Sequence, residues 1–289
     1  HTRTCAPCRD ELGRYRAIDV VARGLRHDAP STEDIAASRT ALQARLADLK
    51  SRVLTYGIVP SPLGNILVAR SEHGVSLVEY LGEGSSLADS RLRDLTDVEM
   101  VENSAEIARL RDELLDFLAG RRRSLGWRLD LRLAGSAFRR SVLEAAVDVP
   151  YGAVTSYATI ARRVGKPGAE RAVAQALRWN PLPIAVPCHR IVGSSGRLTG
   201  YAGDKLGLKR QLLDVEGVHT TPASRDFRVA RESMYVRWAD DRAYCLPTCG
   251  ELPSHNLSNL TLIASRASVE ELGLEPCSDC RPDLHPLGR

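Results

Sequence analysis

Leu42, Leu46 and Leu49 recur at three- and four-residue spacing, the mark of one apolar helical face. Ser31-Thr-Glu-Asp34 just ahead of them has the form of a capping box, so a helix is expected over 35–52. The period then changes. Residues 54–59, 65–70 and 75–80 read as short strands, set off by the turn Pro60-Ser-Pro-Leu-Gly64 and by Gly74. Residues 105–118 return to helical spacing and stop at Gly120. Helices follow over 138–147, 157–164 and 169–179, separated by Pro150-Tyr-Gly152 and by the tight Gly165-Lys-Pro-Gly168 turn. The last two have helix-turn-helix spacing. Ile160, Ala161 and Val164 would face Ala172, Val173 and Ala176, leaving basic side chains outward.

These patterns divide the chain into a helical segment (1–50), an α/β subdomain (53–132), a helical subdomain (135–218), a polar linker (219–232) and a small α+β domain (233–289). No internal repeat or low-complexity tract interrupts them. No apolar run reaches the roughly 18–20 residues a membrane span needs, so a membrane role is excluded. No secretory signal is visible, and a start at His1 reads as trimmed.

The net charge is only +4 over 289 residues, but it is unevenly spread. From Arg139 to Arg210 twelve Lys and Arg residues face only Glu144, Asp148, Glu170 and Asp204. Such a stretch is a candidate footprint for a polyanion, with a solvated surface as the plain alternative.

The seven cysteines fall into three groups. Cys5 and Cys8 form a C-x2-C, Cys188 stands alone, and Cys245, Cys249, Cys277 and Cys280 form two close pairs. An odd total with close pairs points to metal thiolates plus one reactive thiol in a reducing, cytoplasmic setting. The last four suit one closed tetrahedral Zn2+, a staple that a domain with so few aliphatic residues needs.

Cys188 lies in Asn180-Pro-Leu-Pro-Ile-Ala-Val-Pro-Cys-His-Arg190. Three prolines stiffen this loop, which suits a nucleophile that must hold its position. Thiolate is the softest strong nucleophile available to a protein, yet a free thiol is mostly protonated at neutral pH. His189 is the adjacent base; side chains next to one another in sequence seldom meet, so a water bridge is the expected geometry. Glu216, in Leu212-Leu-Asp-Val-Glu-Gly217, is the carboxylate available to orient the imidazole.

This loop, followed by Gly200-Tyr201, Lys209 and Leu-Leu-x-x-Glu-Gly, resembles the O6-alkylguanine-DNA alkyltransferases. The match covers about 53–218, with Pro150-Tyr-Gly152, Ser156-Tyr157 and Arg171-Ala-Val in the family's order. The resemblance implies an RNase H-like α/β subdomain followed by a helical, helix-turn-helix catalytic subdomain. It implies that Cys188 accepts an alkyl group from O6-alkylguanine in double-stranded DNA, once and irreversibly, without a cofactor. His189 would take the thiol proton through water, held by Glu216, and Asn180 would brace the active-site turn. Tyr157 would press on a phosphate and protonate the guanine. Arg171 would fill the gap left by the flipped nucleotide, Arg178 would contact DNA, and Pro183 and Tyr201 would line the base pocket. The O6 atom is inside the duplex, so the base must leave the stack before a thiolate can reach it. The second helix would lie in the minor groove and bind mainly phosphates. Gly135-Ser-Ala-Phe-Arg139 and Leu143 depart from the family's usual Gly-Thr-x-Phe-Gln and Trp, as packing and surface changes.

Tyr244-Cys-x-Pro-x-Cys and Pro276-Cys-x-x-Cys-x-Pro282 resemble the zinc domain of the Ada-type regulators, whose first cysteine (Cys245 in this chain) takes methyl from phosphotriesters. Acidic residues, among them Asp240, Glu251 and Asp283, outnumber basic ones from Arg231 to Arg289, a surface that phosphates should avoid. A structural Zn2+ site is therefore the favoured reading. His1-x3-Cys5-x2-Cys8 ahead of a helix resembles the end of a zinc-binding anti-sigma finger, with a fourth ligand expected before His1 and a protein partner for the segment; an ordinary helical N-terminus is the alternative. A monomer is expected. The rival to direct repair is a zinc-containing regulatory or DNA-binding protein that senses alkylation.

Overall fold

The computed structural model describes the chain apart from residues 3, 28–30, 84–85, 87–89, 91–97, 203–204, 224–225, 240, 251, 253–256 and 288–289, and apart from the side chains of 25–27 and 47–52. The side chain of Leu49, and Asp204, Asp240, Glu251 and Arg289, all counted above, lie outside what is described. The chain divides into two compact units, His1–Ser51 and Arg52–Arg289.

The first unit is helical, with α1 (Ala6–His27) and α2 (Thr32–Arg52). The expected cap forms: Asp34 N–H donates to Ser31 Oγ at 3.0 Å, and Ser31 Oγ–H donates to Asp34 Oδ2 at 2.6 Å.

The second unit opens with β1 (Val53–Val59), β2 (Asn65–Ser71), β3 (Gly74–Gly82) and β4 (Glu99–Glu102), followed by α3 (Ser104–Leu118). Their order is β3-β2-β1-β4, with β1 antiparallel to β2 and parallel to β4. Alternation along β2 divides its side chains between two faces. Ile66 and Val68 join Ile107, Leu114 and Phe117 of α3 in one core, while Leu67 and Ala69 join Leu54 and Leu77 on the other side.

The helical region comprises α4 (Ala137–Val147), β5 (Ala153–Ser156), α5 (Tyr157–Arg163), α6 (Glu170–Arg178), β6 (Ile191–Val192) and α7 (Leu206–Val215). Val142, Leu143, Ile160, Ala161, Val173 and Ala176 are buried in the same core as Ile66 and Phe117, so this region packs directly on the first sheet. Leu143 is fully buried there, an apolar filler where the family's usual residue is larger. Ala172, assigned to the helix–helix contact by spacing, is exposed instead. A pair of short helices touches along a narrower stripe than the three-and-four spacing alone suggests.

The remaining elements are β7 (Thr220–Pro222), β8 (Phe227–Val229), β9 (Tyr235–Trp238), β10 (Ala243–Cys245), β11 (Leu260–Ile263), α8 (Arg266–Glu271) and β12 (Glu275–Pro276). The polar stretch 219–232 is not plain linker: β7 pairs with β8, and Val229 and Ala230 are buried. The strands of 233–289 do not form a sheet of their own. The order β12-β10-β9-β11-β5-β6 places them on the edge of β5. Strands of two to four residues are too short to stand alone, and an open edge on β5 would leave backbone groups unpaired. Val154, Val192 and Leu213 accordingly share one core with Val236, Leu260 and Leu262.

Candidate active site

The loop between α6 and β6 is held from both sides. Val78 N–H of β3 donates to Pro181 O at 2.8 Å, and Asn180 N–H closes α6 on Leu177 O at 3.1 Å. Within the loop Asn180 makes three bonds. Its Oδ1 accepts from Leu182 N–H at 2.9 Å, and its Nδ2 donates to Val186 O at 3.1 Å and to Cys188 Sγ at 3.2 Å. Ile184 sits at φ 74°, a strained conformation for a β-branched residue that only a tightly specified loop maintains.

Cys188 opens a short 3-10 turn, Cys188–Arg190, directly after Pro187. Its thiol is nearly buried, at 6% exposure, but it reaches two neighbouring clefts of about 250 and 270 Å³. Pro183, Tyr80 and Asn180 line the first; Tyr157, Tyr201 and Gln175 line the second; Arg178 borders both. Burial pushes the Cys188 thiol up, against the Asn180 donor and the Lys209 ammonium, which pull it down.

Behind the thiol, His189 Nε2 lies 2.7 Å from Glu216 Oε1, and both side chains are fully buried. A carboxylate oxygen only accepts, so the neutral ring carries its proton on Nε2 and leaves Nδ1 as the basic nitrogen. Nδ1 is buried with no hydrogen-bond partner among the described residues. Burial lowers the His189 pKa, although Glu216 acts to raise it. Burial would raise Glu216 as well, but His189 and Arg190 outweigh it and hold the carboxyl at about 2. Arg190 is the permanently charged partner of Glu216. It donates from Nε at 2.9 Å to Oε2 and from Nη2 at 2.9 Å to Oε1, while Nη1 donates to Val149 O at 2.6 Å. Gly152 N–H adds a bond to Oε2 at 3.1 Å.

The structure thus brings Cys188, His189, Glu216, Asn180, Tyr157, Pro183 and Tyr201 around one centre. Tyr157 Oη–H donates to Thr199 O at 3.3 Å, and burial raises its phenol. The Tyr201 and Tyr80 hydroxyls meet at 2.8 Å. Arg171 and Arg178 are exposed on the face of α6 opposite buried Val173 and Leu177, one above the other at seven-residue spacing. Arg171 lines neither cleft.

Three contributors went unassigned in the sequence. Arg190 follows the Cys-His pair directly, and an arginine beside a buried Glu–His pair was the available signal. Lys209 is wholly buried, with Nζ donating to Ile191 O at 2.6 Å and Thr199 O at 3.1 Å, and burial lowers it to about 8. Tyr80 comes from a strand 121 residues away from Tyr201, a pairing without local signal.

The four C-terminal cysteines also converge. One sulfur from each of Cys245, Cys249, Cys277 and Cys280 lies within 4.8 Å of the others, and Leu246 N–H donates to Cys280 Sγ at 3.3 Å. This set could hold a metal ion. His1, Cys5 and Cys8 form a second cluster within the same limit, with His1 exposed and the two cysteines half-buried. No helix among the described residues is long and apolar enough to cross a membrane.

The model of the 6-O-methylguanine DNA methyltransferase DNA-binding domain matches residues 137–218. The constitutive methylated-DNA–protein-cysteine methyltransferase of Bacillus subtilis is 36% identical over 163 residues, 56% of this chain and 95% of that protein. The Methanosarcina acetivorans methylated-DNA–protein-cysteine methyltransferase is 37% identical over 164 residues, 56% of this chain and 97% of that protein. A crystal structure of Mycobacterium tuberculosis O6-methylguanine methyltransferase is 34% identical and covers 56% of this chain and 92% of that one, with a TM-score of 0.49. With nearly the whole length of such relatives matched at this identity, and with a buried cysteine, histidine and glutamate assembled on one loop and one helix end, the chain belongs to the methylated-DNA–protein-cysteine methyltransferase family.

Proposed function

We propose that this protein repairs DNA by moving the alkyl group of an O6-alkylguanine irreversibly onto Cys188. The observation that carries this reading is the placement of Cys188 Sγ: it is fixed by Asn180, open to two clefts, and followed in the same turn by His189, whose ring bonds to Glu216 at the end of α7.

In the step, the Cys188 proton passes through water to His189 Nδ1, and Glu216 stabilises the resulting imidazolium. The thiolate attacks the alkyl carbon, forming an S–C bond as the C–O6 bond breaks. The electron pair left on the guanine is neutralised by a proton from Tyr157, whose phenol burial keeps in its protonated form. A thioether has no ready leaving route, so each chain acts once. The base enters the two adjoining clefts at Cys188, one bordered by Pro183 and the other by Tyr201, after leaving the duplex. Arg171 fills its place, and Arg178 with the other outward basic residues binds phosphate. The α5–α6 pair, joined by a turn of a few residues, serves as the helix-turn-helix, entering the minor groove. The strand order β3-β2-β1-β4, with its one parallel pair, supports the RNase H-like reading of the first subdomain.

The Cys245, Cys249, Cys277 and Cys280 set would hold one structural Zn2+. Burial and then the neighbouring thiols push Cys245 up, so four thiolates this close require a cation. The ion would hold the strand ends together and take no part in the transfer. The exposed Tyr15, Ile18 and Val21 of α1 and Leu42 and Leu46 of α2 support a protein partner for the first unit, whose His1, Cys5 and Cys8 would share a second metal with a ligand from outside the segment. The protein would work as a cytoplasmic monomer on double-stranded DNA.

Intact-protein mass after incubation with excess duplex bearing O6-methylguanine tests the transfer. One methyl per chain is expected, mapped to Cys188 and absent from Cys188→Ala. Tight lesion binding without mass gain would instead support an alkylation sensor.

A further inference from the structure

β11 lies between β9 and β5, so residues 257–264 of the C-terminal segment make the contacts that hold β5 on that side. Thr261, Leu262 and Ile263 pair with Thr155, Val154 and Ala153. Side chains reinforce the ladder: Thr155 Oγ1–H donates to Leu260 O at 2.9 Å, and Ser156 Oγ–H to Leu257 O at 2.9 Å. Ser156 is also the N-cap of α5, the helix that begins with Tyr157.

The decisive contact is at the start of β5. Ala264 N–H donates to Gly152 O at 2.8 Å. Gly152 N–H donates in turn to Glu216 Oε2 at 3.1 Å, and Glu216 Oε1 accepts from His189 Nε2 at 2.7 Å. One residue therefore has its carbonyl tied to the C-terminal segment and its amide tied to the carboxylate that orients the base. Only glycine serves there. Its φ is +70°, and a Cβ would meet Glu216 O at 3.1 Å and Ser268 Oγ of the C-terminal segment at 3.4 Å.

We propose that the C-terminal segment is a positioning element for alkyl transfer: Ala264 sets Gly152, and Gly152 sets the Glu216–His189 pair beside Cys188. The inference rests on the reading of Cys188 as the alkyl acceptor. Hydrogen bonds weaken steeply with distance and angle, and a small misplacement of a base costs rate far more than it costs binding. The constraint extends across the sheet. Val236 of β9 pairs with Leu262 on one side and with Cys245 on the other, so the four-cysteine cluster anchors the outer strands on which β11 rests. The segment thus acts on the transfer through backbone register, without touching DNA base or alkyl group.

The test uses the full chain with its C-terminal metal site loaded. Ala264→Pro deletes the one donor to Gly152 O and keeps a small apolar side chain at a strand end, where proline is tolerated. Three quantities are read: affinity for the lesion duplex, the single-turnover transfer rate, and the downfield proton resonance of His189 Nε2–H in its bond to Glu216. Lesion affinity is expected within about twofold of the parent, with transfer at least about tenfold slower and the resonance shifted or broadened. Val236→Ala, which removes two methyl groups from a buried position of β9, serves if Ala264→Pro does not fold, and carries the same expectation. Unchanged rate and resonance in the folded variant overturn the proposal. So does a parallel loss of lesion affinity, which marks general destabilisation. If the parent chain transfers nothing, the acceptor reading fails, while the resonance still decides whether Ala264 sets the Glu216–His189 pair.

Discussion

Replacing Glu216 with glutamine probes the buried charge cluster with little change of shape. Glu216 is 4% exposed, and Arg190 and His189 both bond to its carboxylate. The folded carboxyl is held at about 2, against an ordinary value of 4.5. At about 1.4 kcal/mol per pKa unit, that shift corresponds to roughly 3 kcal/mol of folding stability. Removing one partner of a buried pair independently gives about 3–5 kcal/mol, because Arg190 is left as an uncompensated buried cation. The sign follows from a lowered folded pKa. The contribution is fully present above about 4.5, the unfolded value, and is lost as the pH falls towards about 2. Urea unfolding of parent and Glu216→Gln at pH 7 should differ by about 3 kcal/mol, and the gap should close as the pH drops below about 4.5. Transfer at pH 7 should also fall, since the imidazolium formed on His189 loses its anion. A gap under about 1 kcal/mol at pH 7, or one that stays constant on acidification, would refute the account of Glu216 as an anion stabilised by Arg190 and His189.

Asn180→Ala leaves Leu182 N–H unpartnered in a buried loop, takes one of two donors from Val186 O, and removes the donor to Cys188 Sγ. It should cost about 2 kcal/mol or more in thermal or urea unfolding, and raise the pH at which Cys188 reacts with a thiol alkylating reagent; an unchanged reactivity profile would count against the bracing role. Arg178→Ala should weaken lesion-containing and undamaged duplex alike and reduce the slope of log affinity against log salt by about 1, read by fluorescence anisotropy at several salt concentrations. A loss confined to damaged duplex would place Arg178 in base recognition instead. Cys280→Ser should lower the zinc content by one ion per chain, measured by elemental analysis, and reduce the Tm; an unchanged content would mean the four cysteines do not share an ion.

Local order along this chain was legible because local rules set it. The capping box at Ser31–Asp34, the strand that follows the turn ending at Gly64 and the stop at Gly120 each follow from a few neighbouring residues, and each forms as read. The chemistry was legible for the same reason. Asn180 to Arg190 is a contiguous loop, so its cysteine, histidine and bracing amide lie together in sequence as in space. Glu216 required one long-range pairing, and it was legible through the Leu212-Leu-Asp-Val-Glu-Gly217 stretch and the family resemblance that stretch carries. What the sequence could not carry was the partner of each exposed edge and each buried charge. The polar stretch before Ser233 suggested a separate C-terminal domain, yet β11 joins β5 because short strands must find a neighbour to satisfy their backbone groups. Arg190, Lys209 and Tyr80 likewise gained their roles from atoms brought close by folding: Val149 O, Ile191 O and the Tyr201 hydroxyl. Side-chain type and spacing determined which groups could react; the pairing of β11 with β5 and the bonds of Gly152 to Ala264 and Glu216 were decided only by folding, because their partners lie far apart in the chain.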